Sequence, residues 1–170
     1  KAMNSKKHYK LANDLDFNNI SFTPLFTAGS PFNGSFDGAG FTIKNINISA
    51  ETDVNKSNLS IFGTAARATI KNLTLDNVKI NNSAKPYTAI SYIGLVVGKV
   101  TNNSFVMEDI TVVNSSIEIL HNQGSTISPR NLYVGLLGGS LQGKISNATI
   151  KNSSIKVNQN ILNGLFDNND

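Results

Sequence analysis

Apolar residues along this chain fall mostly at every second position: Ile46 and Ile48, Leu73 and Leu75, Ile110 and Val112, Ile155 and Val157. A period of two is that of a strand, in which alternate side chains share a face. The runs are short, rich in β-branched residues, and broken by Asn, Ser and Gly where the backbone must turn. No stretch sustains the period of an amphipathic helix; residues 5–12 and 57–66 are the only weak helical candidates.

The strands recur. Four segments share one pattern: Ile43-Lys-Asn-Ile-Asn-Ile48, Ile70-Lys-Asn-Leu-Thr-Leu75, Met107-Glu-Asp-Ile-Thr-Val112 and Ile145-Ser-Asn-Ala-Thr-Ile150. The last three stay in step further on, through Asn77, Asn114 and Asn152 and through Ile80, Ile117 and Ile155. Met107 lies 37 residues after Ile70, and Ile145 lies 38 after Met107. A second element recurs as Tyr92-Ile-Gly-Leu-Val-Val-Gly98, Tyr133-Val-Gly-Leu-Leu-Gly-Gly139 and, truncated, Leu162-Asn-Gly-Leu-Phe166, with a degenerate copy at Leu59-Ser-Ile-Phe-Gly63. Loops of unequal length intervene, notably over 81–89 and 121–131.

Fixed columns with variable insertions between them are how stacked repeats carry loops. The pattern predicts an all-β fold, a parallel, right-handed β-helix solenoid of about four to five coils with inserted loops. It is expected to form one domain over residues 1–170, a segment of a larger protein. Ile columns fill the core. Asn45, Asn72, Asp109 and Asn147 form one expected turn column, and Asn77, Asn114 and Asn152 a second, where side-chain amides can ladder between coils. Ile70, Met107 and Ile145 are expected to be neighbours on consecutive layers.

Composition narrows the chemistry. The chain has 170 residues with 25 Asn and no Cys, so disulfides and thiolate sites are excluded. Charged residues are 15%, and Lys plus Arg exceed Asp plus Glu by 15 to 11, a net +4. The Lys are scattered apart from Lys1, Lys6, Lys7 and Lys10, with no basic stripe and no aromatic platform, which argues against nucleic acid. No apolar run approaches the ~18 residues of a membrane span.

Candidate sites are few. Glycoside hydrolysis needs two carboxylates across a groove, and Asp76, Glu108 and Asp109 fall in repeat segments, where Asp109 reads as a turn substitution. Asp14 and Asp16 could offer two oxygens to Ca²⁺, which wants six or more. His8 and His121 are too isolated for zinc. Asn-x-Ser/Thr triplets at Asn19, Asn47, Asn58, Asn72, Asn81, Asn102, Asn114, Asn147 and Asn152 follow from an Asn-rich β sequence more simply than from glycosylation. Phe22, Phe26, Phe32, Phe36 and Phe41 are expected to fill the first coil, with a carbohydrate platform as the sharper alternative. No catalytic residue, metal or cofactor is expected. Tyr87, Asn122 and Arg130, in or beside the inserted loops, are the candidate ligand contacts.

Tyr9-Lys-Leu-Ala-Asn-Asp-Leu-Asp-Phe17, Phe22-Thr-Pro-Leu25 and Phe32-Asn-Gly-Ser-Phe-Asp-Gly-Ala-Gly-Phe-Thr-Ile-Lys-Asn-Ile46, with the glycine elements at 94–98 and 135–139, resemble the GLUG-type repeat region of large bacterial secreted and surface proteins. The resemblance covers nearly the whole chain. Ala39 and residues 26–31 depart from it. It implies a β-helix within an adhesin or filamentous-haemagglutinin-like exoprotein, secreted or at the cell surface and tethered to other domains. The implied role is a non-catalytic rigid spacer or a module binding a host or cell-surface protein or glycan. The alternatives are a carbohydrate-binding or carbohydrate-active β-helix and an accessory domain of a secreted metallopeptidase. The family carries no agreed catalytic residues to transfer.

Overall fold

A computed structural model of the chain describes residues 3–26, 28–49, 58–82, 90–120 and 132–157. Its strands are β1 (His8–Lys10), β2 (Leu15–Asp16), β3 (Ser35–Asp37), β4 (Thr42–Ser49), β5 (Asn58–Leu59), β6 (Phe62–Ala65), β7 (Thr69–Asn82) and β8 (Ser91–Gly94). They continue as β9 (Val97–Val100), β10 (Val106–Val113), β11 (Ser116–Ile119), β12 (Leu132–Gly135), β13 (Gly138–Ser140), β14 (Lys144–Lys151) and β15 (Ser154–Val157). The described residues contain no helix; where the weak helical candidates stood, residues 8–10, 58–59 and 62–65 form strands.

The fold is all-β and every strand pairing is parallel. Three sheets share the strands: β5, β8 and β12 form one, β6, β9 and β13 a second, and the remaining nine the third. From β5 onward each pass of the chain contributes one strand to each of the two small sheets. It then adds β7, or β10 and β11, or β14 and β15, to the third, each pairing with its equivalent one pass later; β1 to β4 all belong to the third sheet. We call each pass a layer. Met107 lies opposite both Ile70 and Ile145, and Ile117 opposite both Ile80 and Ile155, so those columns run vertically as the spacing predicts.

The first repeat segment differs from expectation. Ile43 lies opposite Leu75, not Ile70, and Asn45 falls between pairs that align it with Asn77 rather than Asn72. The physical reason is that the long strand carries the same motif twice: Ile70-x-Asn72 is followed five residues on by Leu75-x-Asn77, so segment 43–48 fits either half. Residues 35–42 take the first half instead, with Phe36 opposite Ile70 and Thr42 opposite Thr74. Five positions separate Asp37 from Thr42 but three separate Lys71 from Thr74, and the two extra residues are absorbed in a turn at Gly38, Ala39 and Gly40.

The bends of the long strands use left-handed backbone. Asn72, Asn77, Asp109, Asn114, Asn147 and Asn152 all have φ between 48° and 54°, and Asn45 has 58°. Asn and Asp tolerate that region best after Gly, which is why these columns exclude Ile and Val. Phe26 and Ala39, at the two departures noted in the sequence, also have positive φ, of 58° and 53°. Phe26 is held there by its ring, stacked 4.7 Å from Phe32, and by its carbonyl, which accepts from the Thr64 N–H at 3.0 Å.

Inward side chains form one continuous core. Ile70, Leu75, Ile80, Met107, Val112 and Ile117 have no exposed surface. On the last described layer their column mates Ile145, Ile150 and Ile155 are about 40% exposed (38%, 41% and 40%), since no described strand follows. Outward columns alternate in charge: Lys10, Asp37, Lys71 and Glu108 stand opposite one another in turn, as do Asp16, Lys44 and Asp76. Opposite charges across a pair stabilise and like charges destabilise, so Lys10, Lys44 and Lys71, far apart along the chain, each stand beside a carboxylate on a neighbouring layer.

Candidate functional site

Two of the three acids that could serve hydrolysis, Asp76 and Asp109, are engaged between layers, as are Asp16 and Asp37. Asp16 Oδ1 accepts from Asn45 Nδ2 at 2.8 Å, Asp37 from Asn72 at 2.9 Å, Asp76 from Asn114 at 2.9 Å, and Asp109 from Asn147 at 3.0 Å. Asn77 Nδ2 donates to Asn45 Oδ1 at 2.7 Å. Glu118 accepts from Lys156 Nζ at 2.9 Å. The carboxylates thus act as acceptors for the amide of the next layer, and the columns bind one layer to another. Asn152, at the same bend on the last described layer, has its side chain exposed.

The ladder leaves an electrostatic signature. The Asn45 amide beside Asp16, then the Asn18 N–H, hold its carboxyl below the ordinary 3.8, with Lys44 adding attraction. The Asn72 amide, then the Ala39 N–H, do the same for Asp37, and Lys71 and Lys10 assist. A carboxyl whose folded pKa lies below its unfolded one stabilises the fold fully above the unfolded value, and that stabilisation is lost as pH falls through the folded one. Urea midpoints should therefore hold steady from neutral pH down towards 4 and fall below 3.8. Asp37→Asn should flatten that acid limb; an unchanged limb would show that the ladder carboxylate contributes nothing.

The other sequence candidates divide similarly. Asp14 Oδ1 accepts from the Thr42 N–H at 2.8 Å and Asp16 is used by the ladder, so the pair is not a free chelate. His8 Nδ1 lies 2.8 Å from Ser35 Oγ. Among the described residues no three His, Asp or Glu side chains gather to hold a metal. In the glycosylation-like triplets, Asn47, Asn72, Asn114 and Asn147 donate their amides to the neighbouring layer. Phe32 is fully buried and Phe36 nearly so, which makes them core and not a platform. Tyr87, Asn122 and Arg130 lie outside the described residues.

One exposed aromatic arrangement is absent from the sequence candidates. Tyr133 stands opposite Tyr92 on the outer face of β12 and β8. Their rings stack 5.1 Å apart at 9°, Lys99 Nζ sits 4.5 Å from the Tyr92 ring centroid, and Tyr133 is 44% exposed. Both tyrosines open the same glycine-containing element, and that shared position was the available signal. Gly98 beside Lys99 is required by packing: a Cβ there would stand 2.6 Å from the Gly63 carbonyl oxygen. A ring face flanked by an ammonium can take an aromatic or sugar ring on its free side.

No known protein family, curated protein or solved structure matches this chain. Among the described residues no helix is long and apolar enough to cross a membrane.

Proposed function

We propose that the chain is a right-handed parallel β-helix of about four to five coils, serving as a non-catalytic, rigid module of a secreted or surface-exposed bacterial protein of the GLUG-repeat kind. The observation that carries this reading is the parallel register of β7, β10 and β14, kept without a slip over both pairings. Each layer is fastened to the next by backbone ladders, core columns and the Asn–Asp contacts, so bending would have to break all three together. Of the acids that glycan hydrolysis would need, Asp76 and Asp109 are committed to those contacts. Recognition of a host or cell-surface protein or glycan then falls to the inserted loops, with Tyr87, Asn122 and Arg130 as the contacts to test.

A second reading, carbohydrate binding, is favoured by the Tyr92–Tyr133 stack with Lys99. One experiment separates these. The chain is incubated with a panel of polysaccharides and cultured-cell surfaces, and both retention and product release are measured. The rigid-module reading expects no product release, and any retention to be lost on substituting Tyr87, Asn122 or Arg130 and not Tyr133. Retention on a glycan that Tyr133→Ala abolishes would replace it with the binding reading, and release of new reducing ends or unsaturated sugars would overturn both.

A further inference from the structure

The core is incompletely filled between the first layer and the second. A pocket of about 220 Å³, partly open to solvent, lies there, walled by residues that include Met3, Leu15, Phe17, Phe22, Ile43 and Phe62, with no polar surface in its lining. Its origin is local. β2 is only two residues long, so Leu15 alone is paired there to cover Ile43. Further apolar cover of that layer comes from Tyr9 on β1 and from residues outside the strands, where Phe17 and Phe22 meet edge to face at 88° with centroids 5.4 Å apart. Stiff rings set at right angles prop the space open instead of collapsing into it. Leu15, 36% exposed, stands at its edge.

Water that enters through the mouth finds no polar partner on the lining, so an apolar group that displaces it gains free energy. Charged or strongly hydrogen-bonding ligands are disfavoured for the same reason, as their polar groups would go unpaired. An enclosed apolar cavity of about 150 Å³ accepts benzene; this pocket has the volume for such a ring and an open mouth through which it can enter. We propose that the cavity is a binding site for a small neutral apolar molecule, an alkyl-substituted aromatic ring or an alkyl chain end of similar bulk.

Toluene is the probe. It should raise the Tm of the chain with dose and shift the methyl NMR resonances of Ile43 and Ile46, leaving those of Ile80 and Ile117, deep in the later layers, in place. Leu15→Trp should fill the edge of the cavity, keep or raise the Tm without ligand, and lose the toluene response. Leu15→Glu, at the same exposed position, should lose it by placing a charge there. No response in the parent chain would overturn the proposal. So would a response shared by Ile80 and Ile117, which marks general partitioning into the core, or one that survives in whichever of the two variants is folded.

Discussion

Phe62→Ala is expected to cost about 3–5 kcal/mol, a large share of the roughly 5–15 kcal/mol that holds a domain together. Phe62 has no exposed surface, and its ring lies 5.5 Å from Phe32, 6.2 Å from Phe26 and 5.3 Å from Phe36. Those rings belong to backbone that β3 and neighbouring turns fix in place, so they cannot close over the gap. Phe26 is further held by its positive φ. The alanine variant should show a much lower urea midpoint, whereas Phe62→Leu should retain most of the stability. A loss below about 1 kcal/mol for alanine, the cost of an ordinary substitution, would mean that this cluster is not the packed centre of the early layers.

The second large effect concerns the bends. Asn77 has a φ of 53° and donates to Asn45 at 2.7 Å. Asn77→Val should lose about 1 kcal/mol with the hydrogen bond and a further ~1–3 kcal/mol by forcing a β-branched residue into left-handed backbone. Asn77→Gly loses the same bond but relaxes the backbone. Chemical unfolding of both should place Val well below Gly. Equal losses would show that the amide contact, and not the backbone, is why Asn stands at this column.

Much of the third sheet was legible because two independent signals coincide there. Ile70, Met107 and Ile145 repeat as core residues, and Asn72, Asp109 and Asn147 repeat as the only residue types comfortable at the bends. The earlier layers were harder for a physical reason. Phe36, Gly38, Ala39 and Gly40 fill with an aromatic ring and a turn the place that Ile and Asn occupy later, so the Ile43 segment matched the wrong half of a five-residue motif. Asp109 was legible as a turn residue, but the donor it receives, Asn147, depends on which amide reaches across the layers. The Tyr92–Tyr133 stack required knowing that two equivalent positions face outward, and the cavity follows from the brevity of β2.

The alternating columns bear on how such a molecule can lengthen by gene duplication. Its interior is apolar on every layer, as Phe36, Ile70, Met107 and Ile145 stack in turn, but the alternation Lys10, Asp37, Lys71, Glu108 repeats only every second layer. Copying one layer in tandem would set cation beside cation along that edge, while copying two would preserve the alternation. Growth in pairs is therefore the electrostatically quiet route, and an odd duplication would need a compensating charge reversal to survive.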